Sequence, residues 1–540
     1  MNASSPFESQ EQPVEEVVIE EADGGDQPSR LAAVPAWLFS FGIHGLLVAA
    51  MAALVFTKKA DPDELPPIKV IVIPEMQKEK EKEKPAIKPS ELSITVPEIS
   101  DIINPIEIVV VEKVESAQEA DVPDDGNPGR SDAVASVEMG STGAFMAIGA
   151  SSQSSGIFSN RVGNGRKKIS GAFASSTTRG SSILAALRWF KRHQSPNGMW
   201  DVDGYQVNCL EEGAKCEPGK NQNGNADIAC TAYALMCFQG MGYTHTVHNT
   251  YRLTMEKGID WLLSQQGADG LFGERNYEHA IATMAIVEAY AMSNDSRLRV
   301  PGQKAVDIIL SRQAADPEAK DAAYAGLGWD YVAPKATRID TSVTGWNVMA
   351  LKSALGAGFN VGNGLEGSKR WLERTWKAAN PEWKTLDPYT GVSVFPYTYD
   401  ATTDKASNSG GGESKLACVG AICAVFLGHH AGDPMLNSLC NYIMEKNFPK
   451  SYPTNTYYLY YNTMAVFQAG DKYWKQWDKP VSDMLANSQR RDDNCFNGSW
   501  DYEGTGFHGH DTGRLLSTAY ACLSQEVIWR YTQVIDTKVQ

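Results

Sequence analysis

The sequence predicts an all-α protein, an α/α toroid of about six outer and six inner helices, preceded by a single transmembrane helix and disordered segments. Amphipathic helical stretches recur along the chain, each ending near a Gln and followed by a Gly-x-aromatic turn. Between them lie stretches rich in Ala, Met and Cys that are apolar on all sides, which is typical of buried helices. Separately, residues 34–56 contain no Asp, Glu, Lys or Arg, the pattern of a membrane span.

The composition is that of a globular protein with an acidic N-terminal region. The chain has 540 residues, of which 42% are hydrophobic and 21% charged, and a formal net charge of −16. Because no concentrated basic surface is available to neutralise phosphates, a nucleic-acid partner is not expected. Nine cysteines are an odd number, so at least one thiol is free if the chain is monomeric.

The first 56 residues predict a disordered acidic tail and a membrane anchor. Residues 1–33 are acidic, contain Pro and Gly, and lack apolar periodicity, so they cannot build a core. Residues 34–56 are long enough to span the bilayer as a helix, with Trp37 and Lys58 as interfacial anchors. The alternatives are a cleaved signal peptide, which usually follows a basic leader, and a buried core helix.

Residues 57–180 read as a linker, first charged and Pro-containing, then rich in Gly and Ser. Short apolar stretches at 68–73 and 106–111 could add a strand to the sheet edge of an envelope protein partner. The stretch 141–180 carries five basic residues and no acidic one, and is interpreted as a flexible connector; contact with anionic lipid is a minor alternative.

The repeated region, 181–535, is predicted to form the toroid. Its repeat units contain a Gln and an aromatic residue at similar spacing: Gln194 with Trp200, Gln266 with Phe272, Gln313 with Trp329, and Gln489 with Trp500. A degenerate copy surrounds Trp371, with Gly391 and Phe395 in place of the turn. The inner helices are predicted at 227–240, 279–292, 341–356, 415–427, 457–469 and 512–531. The Gln and Trp side chains are interpreted as structural, because Gln can pair free backbone groups near a helix end while indole packs on a neighbour.

These Gln-x-x-x-Gly-x-Trp units resemble the QW repeats of squalene–hopene cyclases and the related repeats of protein prenyltransferases. More closely, the phrases at 277–290 and 340–352 resemble those of bacterial membrane-anchored proteins of this repeat type. The anchor and charged linker resemble the N-terminus of TonB-like proteins. That last resemblance implies a periplasmic toroid domain, whereas Lys58 and Lys59 after the span favour, by the positive-inside rule, a cytoplasmic one.

The resemblance implies acid chemistry for which the residues are incomplete. Squalene–hopene cyclases protonate their substrate with an Asp-x-Asp-Asp motif, which this sequence lacks. Asp201-Val-Asp203 belongs to a turn, and the segment ending in Asp340 keeps one carboxylate at the matching place. Protein prenyltransferases hold zinc with Asp, Cys and His, but their spacing is not reproduced among the candidates Asp227, Cys230, His279, Cys495, His508, His510 and Asp511. No metal and no cofactor are therefore predicted, and a local disulfide between Cys209 and Cys216 is left open.

A polar ring at one mouth of the toroid is the predicted site. Four residues stand at or near the start of an inner helix, which places them around one opening of the ring. The candidate catalytic residues are Asp340, His279 and Asp511, and the candidate ligand-binding residues are Asp227, His510, Trp346 and Tyr461. The alternative is helix capping, because Asp is a favoured N-cap and negative charge is welcome at helix starts.

The functional expectation is a membrane-anchored toroid, single-pass and periplasmic, with a central cavity for an apolar or isoprenoid ligand. If it is an enzyme, the resemblance implies a terpene cyclase or a prenyltransferase-like activity. The alternatives are a non-catalytic envelope binding or scaffold protein, which the missing acid favours, and a carbohydrate-active toroid, which needs a pair of carboxylates.

Overall fold

The computed structural model describes residues 158–161, 166, 170–171, 175–222, 226–320, 326–332, 338–408, 416–430, 432–492, 494–506 and 508–531. The predicted tail at 1–33, the predicted span at 34–56 and the linker up to residue 157 lie outside these residues, and remain predictions. Within the described ranges, no helix combines the length and the apolar character needed to cross a membrane.

Twelve helices of ten residues or more build the described part of the chain. In chain order they are α1 (Ser176–His193), α2 (Asp227–Gly240), α3 (Arg252–Ser264), α4 (Asn276–Ser293), α5 (Arg299–Ser311), α6 (Thr341–Gly356), α7 (Gly364–Ala379), α8 (Ala417–Phe426), α9 (Pro434–Lys446), α10 (Thr456–Ala469), α11 (Asp471–Ser488) and α12 (Arg514–Arg530). The predicted bounds of α2 and α6 match the observed ones, and α1 begins at Ser176, before the predicted domain boundary at 181.

The even-numbered helices form a closed inner ring. Each packs against its two even-numbered neighbours, and α12 returns to α2 to close the circle. The odd-numbered helices lie outside: α3 packs on α2, α9 on α8, and α1 on α12. The predicted fold class, an all-α toroid of six outer and six inner helices, is confirmed.

Burial follows the sequence pattern of the two layers. Every residue of α8 and α12 is buried, because an inner helix is covered by neighbours on both sides and by an outer helix. The outer helix α7 instead buries one stripe, including Trp371 and Trp376, and leaves Lys369 and Lys377 exposed. The core therefore surrounds the inner ring.

The repeat glutamines tie successive outer helices together. Each donates from Nε2 to one carbonyl in its own turn and to one in another outer helix. Gln266 bonds Gly270 O at 2.9 Å and Pro301 O of α5 at 3.0 Å. The corresponding second acceptors of Gln194, Gln313 and Gln489 are Thr254 O, Gly364 O and Ser182 O. The last of these bonds joins the end of the repeat region to its first helix.

The turn tryptophans bond the outer helix that precedes them. Their indole Nε1 groups donate to backbone carbonyls at 2.8–2.9 Å, in the pairs Trp200 to Phe190 O, Trp329 to Ile309 O, and Trp500 to Leu485 O. In the degenerate copy, Asn380 replaces the glutamine and bonds Trp376 O and Val394 O, while Phe395 is fully buried.

A small antiparallel sheet precedes α6. Its strands β1 (Arg338–Asp340), β2 (Thr398–Asp400) and β3 (Lys405–Ser407) lie in the order β1-β2-β3, with Ile339 opposite Tyr399 and Tyr399 opposite Ala406. The strand β1 runs directly into α6, so the sheet fixes where this inner helix begins.

Candidate functional site

A pocket of ≈ 120 Å³ opens at the mouth of the ring where the inner helices begin. Its walls come from the starts of α2, α4 and α12 and from the segments that lead into them. The residues that line it are Asn221, Ala226, Ala229, Cys230, Tyr233, Arg275, Tyr277, Glu278, Tyr331, His508, Asp511, Thr512, Leu516 and Tyr520. The pocket is therefore aromatic on its inner side and charged at its rim.

Two half-buried tyrosines form the aromatic wall. The rings of Tyr277 and Tyr331 are almost parallel, at an interplanar angle of 10° and a centroid distance of 6.4 Å. Each hydroxyl is held from behind, since Trp346 Nε1 donates to Tyr277 Oη at 3.2 Å and the Tyr331 and Tyr397 hydroxyls lie 3.1 Å apart. The ring faces are thus fixed in orientation before any ligand arrives.

The axis of the toroid is filled with aromatic side chains. Trp346 and Tyr461 are both completely buried, with their ring centroids 5.7 Å apart, and Trp346 also packs against Tyr233 at 5.3 Å. The Tyr233 and Tyr520 hydroxyls bond each other at 2.8 Å and close the floor of the pocket. The predicted central cavity for an isoprenoid is therefore wrong, and Trp346 and Tyr461 are core residues, because aromatic packing occupies the space that a long apolar chain would need.

Glu278 is the carboxylate of the α4 end of the pocket. Its Oε1 accepts from the backbone N–H groups of Glu274 at 2.9 Å and Arg275 at 3.0 Å, which makes it part of a capping box at the start of α4. Partial burial raises the pKa of Glu278, and the two N–H donors oppose that rise. The exposed Arg275 beside it supplies the positive charge of the rim.

Asp511 and His508 lie on the opposite side, just before α12. Asp511 Oδ2 and His508 Nδ1 are 3.2 Å apart, and Asp511 O accepts from Asn221 N at 3.0 Å. His508 itself has a left-handed backbone conformation, with φ of 53°. Of the predicted site residues, Asp511 is the one that lines the pocket; His510 is exposed outside the lining, with its ring 5.5 Å from Tyr502.

His279 does not face the mouth, which corrects its predicted role. It is fully buried, its Nδ1 accepts from Phe272 N at 3.0 Å, and its Nε2 donates to Ala305 O of α5 at 2.9 Å. Burial lowers the pKa of His279 to about 4, so the ring is neutral at pH 7. Both nitrogens are used to join α4 to its outer layer, and none is left for chemistry.

Asp340 and Asp227 also serve the fold. Asp340 Oδ1 accepts from the backbone N–H groups of Ser342 at 2.9 Å and Val343 at 3.1 Å, which is an N-cap of α6. Asp340 is fully buried, and burial raises its pKa. Asp227 Oδ1 accepts from Val202 N at 2.8 Å. The capping alternative describes both carboxylates, and neither lines the pocket.

The residues that sequence reasoning missed are Tyr277, Glu278, Arg275 and Tyr331. The first three directly precede or open an inner helix, at the same place where Asp340 and Asp511 were noticed. The signal was therefore available at Arg275–Glu278, but not at Tyr331, which reaches the mouth from the loop before β1.

Three groups of side chains among the described residues have ligand atoms close enough for a metal ion. One is Asp201 with Asp203 and Asp227; a second is Cys237 with Cys522 and Glu526. The third is His193 with Cys209, Cys216 and Cys495, all buried. All nine cysteines are free, so the disulfide between Cys209 and Cys216 that the sequence left open is absent here.

No family model and no curated protein matches the chain. Solved structures do share its fold. The α-1,6-mannanase GH76A of Salegentibacter sp. HEL1_6 has a TM-score of 0.44 and 11% identity, over 65% of this chain and 98% of that one. The cellobiose 2-epimerase of Spirochaeta thermophila DSM 6192 has a TM-score of 0.43 and 11% identity, over 67% and 98%. A Clostridium perfringens α-amylase has a TM-score of 0.41 and 9% identity, over 64% and 97%.

These findings correct the family resemblance. The similar solved structures are glycoside hydrolases and sugar epimerases or isomerases with an α/α toroid, not squalene cyclases or prenyltransferases. The squalene-cyclase assignment, and the isoprenoid function that followed from it, are therefore wrong. The shared feature that misled the comparison is the Gln-and-aromatic turn, which in this chain is a device for joining outer helices.

Proposed function

We propose that the toroid recognises a carbohydrate at the pocket formed by the starts of α2, α4 and α12. The observation that carries the proposal is the Tyr277–Tyr331 pair, two parallel rings at an open pocket whose rim is charged. A sugar ring has an apolar face of C–H groups and an edge of hydroxyls. The tyrosine rings suit the face, while Arg275, Glu278 and Asp511 offer donors and acceptors for the edge.

The size of the pocket supports a short saccharide or the end of a longer one. Drug-sized ligands usually occupy pockets of about 300–1,000 Å³, and this one, at ≈ 120 Å³, is smaller. Because the pocket is open to solvent, further sugar units of a chain can extend outward from the ring that is bound. The enzymes with similar folds act on mannans, starch or free sugars according to their names, which agrees with this ligand class.

The carboxylates favour recognition over hydrolysis. A glycosidase generally needs two carboxyl groups placed on either side of the bond to be broken. Here Glu278 is tied by one oxygen to two backbone N–H groups, and Asp340 and Asp227 are committed to helix starts. Asp511 alone remains on the far side of the pocket, beside His508.

The test is titration calorimetry of the protein with a panel of oligosaccharides, together with an assay for new reducing ends. We expect binding without cleavage. Tyr331→Ala should weaken binding about three- to tenfold, because an aromatic contact contributes about 0.5–1.5 kcal/mol beyond its area. Tyr389→Ala is the matched control, since Tyr389 is 69% exposed and outside the pocket lining. Absence of binding across the panel would reject the proposal, and release of reducing ends would replace recognition by hydrolysis.

A further inference from the structure

Four potential metal ligands from three distant parts of the chain meet at one buried point. His193 is the last residue of α1, Cys209 and Cys216 flank the loop that follows, and Cys495 lies in the turn after α11. Their side-chain nitrogen and sulfur atoms all lie within 4.8 Å of one another, and all four residues are buried. The cluster is separate from the carbohydrate pocket, because none of the four lines it.

The distances between these atoms are those of a tetrahedral site. His193 Nε2 lies 3.2 Å from Cys209 Sγ and 3.6 Å from Cys216 Sγ, and the sulfurs of Cys216 and Cys495 are 3.5 Å apart. Zinc bonds of about 2.3 Å to sulfur and about 2.0–2.1 Å to nitrogen place tetrahedral ligands about 3.5–3.8 Å apart. The observed separations need shifts of only a few tenths of an ångström to surround one ion.

The surroundings prepare His193 for this role. Its Nδ1 lies 2.8 Å from Trp189 O, and because a carbonyl can only accept, Nδ1 carries the proton and Nε2 keeps its lone pair. The imidazole also stacks on the Trp189 ring at 4.3 Å, which fixes its plane. A backbone carbonyl behind a ligating histidine is the usual second contact in zinc sites.

The thiols have matching support. Cys216 N donates to Cys209 Sγ at 3.4 Å, and backbone N–H donors favour the thiolate that a metal requires. Lys215, between the two loop cysteines, bonds Cys209 O at 2.6 Å and brings a positive charge toward three sulfurs. By contrast, Cys418, Cys423 and Cys440 are buried cysteines that belong to none of the metal-competent groups of the described residues.

We propose that His193, Cys209, Cys216 and Cys495 form a structural Zn²⁺ site. Three thiolates and one imidazole select a soft, tetrahedral ion, and four protein ligands leave no open position for catalysis. This assignment departs from the sequence-based expectation of no metal, in which Cys495 was one candidate without recognisable partners. The spacing hides the site because its ligands are far apart in the chain.

The site joins the first repeat to the last. Beyond Cys216 the loop continues to Lys220 and Asn221, whose N–H groups donate to His510 O and Asp511 O at 3.0 Å. Zinc would therefore hold the seam where the ring closes, and also fix the segment that carries one wall of the pocket. In a ring of repeats this seam lacks the direct chain connection that the other neighbours have.

The test is metal analysis of the full chain, purified from zinc-supplemented medium and dialysed. Plasma mass spectrometry should find one zinc per chain. Cys495→Ser should lose that zinc, while Cys440→Ser, which changes a buried thiol in α9, should keep it. If Cys495→Ser does not fold, cobalt replaces zinc in the unaltered chain as the deciding measurement. Tetrahedral thiolate coordination then gives strong visible absorption and sulfur-to-cobalt charge-transfer bands.

Thiol protection supplies an independent readout. In the unaltered protein, alkylation of the three ligand cysteines should be blocked until a chelator is added, and chelation should lower the melting temperature. The proposal is overturned if the folded chain binds neither zinc nor cobalt in this way. It is also overturned if the freshly isolated protein, kept under argon, proves by peptide mapping to carry a disulfide between Cys209 and Cys216.

Discussion

His279 occupies a position that recurs in other inner helices, where the residue is a threonine. In each case a side-chain acceptor near the helix start takes the backbone N–H of the aromatic residue in the preceding turn. The threonine pairs are Thr231 with Trp200 N at 3.0 Å, Thr344 with Trp329 N at 3.0 Å, and Thr518 with Trp500 N at 3.2 Å. In α4 the pair is His279 with Phe272 N. The histidine is thus a longer version of a repeated structural contact, with an added bond to Ala305 O.

The pH dependence of this residue can be stated with its sign. Burial lowers the pKa of His279 to about 4 from 6.5, so between these pH values the unfolded chain binds a proton that the folded chain does not. Its contribution to stability is present above pH 6.5 and is lost as the pH falls toward 4. We predict that His279→Thr lowers the free energy of unfolding at pH 7 by about 1–3 kcal/mol, because the bond to Ala305 O is lost. The same variant should lose less stability than the wild-type protein between pH 6.5 and pH 4.

Urea unfolding at a series of pH values measures both effects, and saccharide titration provides the control. Saccharide affinity should be unchanged at pH 7, because His279 lies outside the pocket lining. Loss of binding without loss of stability would instead restore the catalytic or ligand-binding role that the sequence suggested for this histidine.

Helices were the most predictable feature of this chain, and the direction of their end residues the least. Apolar character on all sides identified α2 and α6 to the residue, because burial of a whole helix leaves a direct record in its composition. Asp340, Asp511 and Asp227 all stand at helix starts, yet one lines the pocket and two pair with backbone. Sequence cannot separate these cases, since a cap and a site residue obey the same positional preference.

The glutamine contacts can be tested with two adjacent residues at the end of α3. Gln266 bonds Gly270 O and Pro301 O, whereas Gln265 is exposed and bonds the neighbouring Ser264 side chain. We predict that Gln266→Ala lowers the free energy of unfolding by about 1–3 kcal/mol, because two carbonyls lose their donor. Gln265→Ala should change it by less than about 0.5 kcal/mol. Denaturant titrations of the two variants make the comparison, and equal effects would show that the repeat glutamine is not a structural link.

At the scale of the whole ring, closure depends on segments from both ends of the described chain. Gln489 bonds Ser182 O, and α12 packs on α2. At the ends of the inner helices opposite the pocket, the buried Glu288 accepts from Arg530 at 2.9 Å and from Arg161 at 2.8 Å. The two arginines hold the pKa of Glu288 below its usual range although burial alone would raise it. Arg161 comes from the stretch predicted to be a linker, so part of that stretch belongs to the domain.

The last prediction concerns where the folded domain begins. A fragment that starts at residue 158 keeps Arg161 and Arg179, whose guanidinium bonds Asp478 at 2.7 Å and the carbonyls of Ser524 and Gln525. A fragment that starts at residue 181 removes both arginines and the first residues of α1, and leaves Glu288 with one partner. Removing one member of a buried ion pair costs about 3–5 kcal/mol, so we expect the shorter fragment to melt at a clearly lower temperature. Arg161→Ala in the longer fragment should reproduce part of that loss, which assigns it to the ion pair rather than to the shortened helix. Circular dichroism melts of the three proteins decide the matter, and equal melting temperatures would return Arg161 to the linker.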